Sequence, residues 1–217
     1  MNLKPTNRRQ FIKNASFALL GAHALSKTGL SMTSPSARGI AGLKEVRKYK
    51  PLGQTGFQVS DIASGAPQNE TVLKALLNAG VNFIDTGHTY GNGNNERMIG
   101  KVLKAYDRSK IFINTKLYAE EGSFKSKAEV IRRTKEALER LQTDYADCMM
   151  IHSADNSAIV QDEAFHSGID QLKKEGLVRF SGVSCHGSAW YRLPEESLEK
   201  VLLTAAETNQ FDVFLMT

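Results

Sequence analysis

From residue 48 onward, short apolar, β-prone runs alternate with amphipathic stretches of helical period. Lys48–Lys50 and Phe57–Ser60 flank Gly53-Gln54-Thr55-Gly56 and predict a short hairpin. A candidate strand near Asp61–Ser64 follows, then a helix near Glu70–Asn78 closed by Gly80. The second strand is Asn82–Asp85, with a helix near Asn95–Ala105, and the third is Ile111–Thr115. The next helix, about Lys127 to Gln142, is the best marked. Ser126 and Glu129 have capping-box spacing, and Val130, Ile131, Ala137, Leu138 and Leu141 form one apolar stripe. The fourth strand is Cys148–Ile151, and its helix, near Val160–Glu175, stops at Gly176. The fifth strand is Val178–Val183, Pro194 opens a helix running to about Thr208, and a sixth strand starts at Phe211.

One βα unit roughly every 30 residues implies parallel strands joined by right-handed crossovers, hence an α/β fold. A doubly wound sheet and an eight-unit barrel both satisfy that pattern. No Gly-x-Gly-x-x-Gly follows the first strand, which weakens the doubly wound dinucleotide option.

Charge changes the picture ahead of these units. The 217 residues carry a net charge of +5, but Lys4, Arg8, Arg9, Lys13, Lys27 and Arg38 precede every acid in the chain. Removing those six from the 28 basic residues leaves 22, against 23 acidic ones. The body is near neutral, so no nucleic-acid partner is expected. Asn7-Arg8-Arg9-Gln10-Phe11-Ile12-Lys13 precedes a mildly apolar run, Ala15–Leu25, which contains Ala22-His23-Ala24. Basic region, apolar region and small-x-small site form an export-signal pattern, and the run is similar to the twin-arginine consensus. Residues 1–37 are therefore expected to be a twin-arginine signal peptide and linker. That implies passage through the twin-arginine translocase and a periplasmic or otherwise exported location. An amphipathic helix or tail is the plainer alternative. No apolar run is long enough for a stable membrane span.

Chemistry gathers at the predicted strand ends, where a (β/α) barrel carries its active site. Strand two ends in Asp85-Thr86-Gly87-His88-Thr89-Tyr90-Gly91, strand three in Asn114-Thr115-Lys116, strand four in Met150-Ile151-His152 and strand five in Gly182-Val183-Ser184. Each residue alone has a plain structural reading: a turn-capping Asp, a packed Tyr, a solvated Lys, a satisfied His. Together they suit carbonyl reduction. Hydride arrival at a carbonyl carbon leaves an alkoxide in need of a proton. A phenol gives its proton up only near pH 10, and a neighbouring ammonium stabilises the phenolate. Lys116 can be that ammonium beside Tyr90, Asp85 can keep it charged under desolvation, and His152 can donate to the substrate oxygen.

The chain resembles the aldo-keto reductase family over about residues 48–217. The resemblance rests on Pro51-Leu52-Gly53-Gln54-Thr55-Gly56, Ala79–Thr86, Tyr90-Gly91, Asn95-Glu96, Ile99-Gly100 and Asn114-Thr115-Lys116. It continues through Leu141–Asp147, Ile151-His152 and Gly182-Val183-Ser184. It implies a (β/α)8 TIM barrel over residues 46–217, incomplete at about six strands, with strands seven and eight expected to be missing by truncation. It also implies a catalytic tetrad of Asp85, Tyr90, Lys116 and His152, with Ser184 holding the nicotinamide carboxamide. The cofactor is then NADPH, with NADH possible, no metal takes part, and the substrate is a small-molecule carbonyl. Cys185 stands where many members carry Asn, and the first strand is thin for the family. Some barrels of the family serve instead as cofactor-sensing subunits of membrane proteins, which is the alternative function. A metal-dependent hydrolase using His152 and Asp85 is a third reading, without the His-x-His pair common in such barrels.

Two cysteines, Cys148 and Cys185, exclude a disulfide scaffold. Cys148 lies about 13 Å from the strand-end rim at about 3.3 Å per residue, so both thiols are expected to be unpaired.

Overall fold

Tyr49–Pro51 (β1) and Gln58–Ser60 (β2) pair antiparallel as the predicted hairpin. The computed structural model describes residues 45–186 and 194–216, so the leader expected over residues 1–37 lies outside the described residues. Five parallel strands follow the hairpin: Phe83–Asp85 (β3), Phe112–Leu117 (β4), Ala146–Ile151 (β5), Val178–Cys185 (β6) and Val213–Met216 (β7). They lie in sequence order and form one curled half-barrel. The helices between them are Glu70–Asn78 (α1), Asn94–Leu103 (α2), Lys127–Leu141 (α3), Glu163–Lys174 (α4) and Leu198–Thr208 (α5).

Alternation along each strand divides the core. Phe83, Phe112, Cys148, Met150 and Val213 form the inner cluster, against which Leu52, Phe57 and Val59 of the hairpin pack. Phe57 meets Phe112 edge-on with centroids 5.4 Å apart. The intervening residues face the helices: Ile84 and Ile113 toward α1 and α2, and Met149, Ile151 and Val183 toward α3, α4 and α5. Cys148 and Cys185 are buried free thiols in different clusters, Cys148 inside and Cys185 on the helix side. Burial pushes both thiols up, Cys185 to about 12.

Helix starts follow side-chain caps. Asn69, Ser126, Asp162 and Ser197 each accept from a backbone N–H in the first turn of α1, α3, α4 and α5. Gly100 lets α2 lie against the end of α3. A Cβ there would come 2.5 Å from the Leu141 carbonyl carbon, and that backbone has no room to give way.

Three boundaries differ from the sequence reading. The strand expected at Asp61–Ser64 is a single bridge, Ser64 to Ile84. Side chains replace its ladder: Ser60 N donates to Asn82 Oδ1, and Asn82 N donates to Ser60 Oγ. The last helix begins at Leu198 rather than Pro194, because Ser197 caps it by accepting from Lys200 N while Pro194 stands in a turn. The helix expected from Val160 is split: a short 3-10 turn covers Ile159–Gln161, and α4 starts only after the Asp162 cap.

Away from the strand ends that carry the expected site, Asp147 at the start of β5 is buried at 1% exposure. It accepts from Arg108 Nη2 (2.8 Å), Arg179 Nη1 (3.1 Å) and Ile113 N (2.9 Å). The two guanidinium carbons lie 4.1 and 4.0 Å from the Tyr145 ring centroid.

Candidate active site

Register carries four expected side chains to one end of the sheet. Asp85, the last residue of β3, is opposite Asn114 on β4. Lys116 is two residues further along the same inner face and is opposite Met150 on β5. His152 is two residues past Met150, and Ser184 is two past Gly182, the β6 partner of Met150. The two-residue period of a strand puts all of these on the inward side.

Lys116 is the most constrained of them. It is 1% exposed, its Nζ lies 2.5 Å from Asp85 Oδ2, and it donates to the Thr86 carbonyl at 3.0 Å. The other Asp85 oxygen accepts from Asn114 Nδ2 at 2.5 Å. Burial raises the Asp85 carboxyl above its ordinary range, while the Lys116 ammonium and the Asn114 amide oppose that rise. Asn114 Oδ1, also buried, meets no partner within the protein.

The loop after β3 brings Tyr90 over this pair. Thr86 Oγ1 donates to Asn95 Oδ1 at 2.7 Å, Tyr90 N donates to the Gly87 carbonyl, and Gly93 N to the His88 carbonyl. Gly91, Asn92 and Gly93 all take positive φ, a sharp reversal that glycine and asparagine accept. The Lys116 ammonium lies 5.1 Å from the Tyr90 ring centroid, and the Tyr90 and His152 rings are 5.5 Å apart. A Cβ on Gly87 would stand 3.4 Å from Lys116 Cβ, 3.6 Å from Tyr90 Cε2 and 3.7 Å from His152 Nδ1. Lys116, Tyr90 and His152 therefore converge on one backbone position.

His152 is half-buried, and its Nδ1 lies 3.2 Å from Thr89 Oγ1. Burial, then the Lys116 charge, lowers its pKa to about 4, so the imidazole is neutral at neutral pH. It also forms part of the wall of a cavity of about 290 Å³, together with Tyr118, Ser153, Asp155 and Asn156.

Ser184 stands on the neighbouring strand end. Its hydroxyl donates to the Ile151 carbonyl at 3.2 Å and accepts from Ser153 N at 2.9 Å, leaving one acceptor lone pair. Cys185 turns to the helix side, among the outer core. Among the described residues, no group of three or more His, Cys, Asp or Glu has metal-site geometry. No described helix is long and apolar enough to cross a membrane.

The sequence alone gives no role to Asn114 or Thr89, although both sit in the strand-end motifs. Glu96, part of the Asn95-Glu96 motif and likewise without an assigned role, is fully buried on α2. Glu96 accepts from Thr115 Oγ1 and Arg140 Nε, each at 2.6 Å, and so ties β4 to α2 and α3.

A family model described as "Aldo/keto reductase family" matches residues 52–214. L-galactose dehydrogenase of Arabidopsis thaliana is 33% identical over 154 residues, covering 63% of this chain and 48% of that protein. A probable voltage-gated potassium channel subunit beta of the same plant is 29% identical over 131 residues, covering 53% of this chain and 40% of that one. The holo form of aldo-keto reductase AKR11C1 from Bacillus halodurans superposes with a TM-score of 0.55 at 31% identity, covering 64% of this chain and 50% of that chain. The chain thus spans about half the length of these relatives.

Proposed function

Because the chain belongs to the aldo/keto reductase family, we propose that it is an oxidoreductase that reduces aldehyde or ketone carbonyls to alcohols with NADPH. The observation that carries this reading is the buried Lys116 ammonium, fixed by Asp85 and Thr86 and 5.1 Å from the Tyr90 ring.

The residues present fit a nicotinamide at this rim. Ser184 keeps one lone pair that can accept from a carboxamide N–H, and the Tyr90 and His152 rings stand 5.5 Å from each other at the same end of the sheet. Bound there, the cofactor supplies a hydride to the carbonyl carbon. Tyr90 then gives the phenolic proton to the developing alkoxide, because the adjacent ammonium stabilises the phenolate left behind. Asp85 keeps Lys116 charged and stationary, with Asn114 holding the second carboxylate oxygen. His152, neutral at working pH, orients the substrate oxygen by a hydrogen bond that strengthens as negative charge builds.

The test is NADPH oxidation by the purified full chain with a reactive aldehyde. Alcohol is expected in a one-to-one ratio with cofactor consumed, and its absence overturns the reading. The same assay separates a second reading, a cofactor-sensing subunit, which the channel-subunit relative fits only loosely. Tight NADPH binding with no turnover supports that alternative.

Arg8, Arg9 and the apolar run after them support export by the twin-arginine route. Wild-type protein is expected in the periplasmic fraction, and the paired change Arg8→Lys, Arg9→Lys should leave it inside. Equal distribution of the two forms removes this reading.

A further inference from the structure

We infer that Thr89 is a positioning residue for His152: its hydroxyl donates to Nδ1 and thereby holds the proton of the ring on Nε2. The inference rests on the reductase reading above but adds a residue to it.

A neutral imidazole carries one proton on either nitrogen, and which one is set by the hydrogen bond the other nitrogen makes. His152 is in that neutral state, so its tautomer decides what it offers a substrate. With the proton on Nδ1, the ring would donate to Thr89 and turn a lone pair on Nε2 toward the substrate oxygen, which repels it. With the proton on Nε2, the ring donates to that oxygen.

The geometry singles out Thr89. Its Oγ1 lies 3.2 Å from Nδ1, within hydrogen-bond range. Nδ1 is also the ring atom nearest a Cβ built on Gly87, at 3.7 Å, so that edge of the ring faces the loop after β3. Nε2 lies on the opposite edge. Tyr118 meets the ring edge-on with centroids 6.2 Å apart. Thr89 is itself exposed, so the contact with His152 is the one side-chain hydrogen bond made by its hydroxyl among the described residues.

The experiment compares wild type, Thr89→Val and Thr89→Ser as full chains. Long-range nitrogen–proton spectra report the His152 tautomer, assigned by loss of its signals in His152→Gln. Wild type and Thr89→Ser are expected in the Nε2–H form, and Thr89→Val as a mixture of both. In the aldehyde assay, Thr89→Val should lower kcat about five- to tenfold, the fold-change of one net hydrogen bond. Thr89→Ser should restore most of it, and NADPH affinity should be equal in all three. An Nδ1–H ring in wild type, or an unchanged tautomer in Thr89→Val, overturns the inference. Absence of turnover in wild type overturns the reductase reading instead, and the spectra still decide the role of Thr89.

Discussion

Replacing Tyr90 by Phe is expected to lower kcat for aldehyde reduction by about 10²- to 10⁴-fold, the usual worth of a positioned general acid. The substitution removes one oxygen and keeps the ring. The ring is what packs 5.5 Å from His152 and lies near the Lys116 ammonium, so the loop after β3 retains its supports. Those supports are backbone and side-chain bonds of Thr86, Gly87 and Asn95, none of which uses the Tyr90 hydroxyl. Thermal midpoint and NADPH affinity should therefore match wild type. Steady-state kinetics beside a melting curve checks this. Undiminished kcat in the variant would assign the proton to another group, whatever the fold suggests.

The largest expected loss of stability comes from Asp147→Ala. Its carboxylate is 1% exposed and pairs with two guanidiniums while also accepting from Ile113 N. Removing it leaves the Arg108 charge, only 19% exposed at its side chain, beside a buried strand start without a counter-ion. Breaking a buried ion pair from one side costs about 3–5 kcal/mol. Arg179, at 47% exposure, still reaches water, so Arg179→Ala should cost only about 1 kcal/mol. Urea unfolding of both variants tests the ranking. Equal losses would mean that the aromatic stacking on Tyr145, and not the ion pairs, holds this end of the barrel.

Helices and interior strands were legible because local rules sufficed to define them. Glu70–Asn78 matches α1 residue for residue, since its apolar period and the Gly80 that closes it lie within one short local stretch of sequence. The same holds for α3, where the cap at Ser126 and the stripe from Val130 to Leu141 agree. The Asp61–Ser64 strand failed because Ser60 and Asn82, 22 residues apart, exchange side-chain bonds that no local pattern announces. The four strand-end residues could be read together because a parallel barrel brings every strand end to one rim. Their supports could not. Asn114 matters through its register with Asp85, Thr89 through a contact 63 residues away, and Glu96 through Arg140, 44 residues on. Such pairs exist only once the register between strands is fixed.

Cys148 and Cys185 have a consequence for life in an oxidising compartment. Oxidants and disulfides react with the thiolate, and burial holds both sulfurs protonated, one of them up to about 12. They also reside in different clusters, on opposite faces of the sheet. The folded sheet thus offers peroxide or glutathione disulfide no reactive thiolate, and neither thiol can staple the wrong elements together. A protein with this arrangement tolerates an oxidising milieu without an isomerase, provided it is already folded when it arrives.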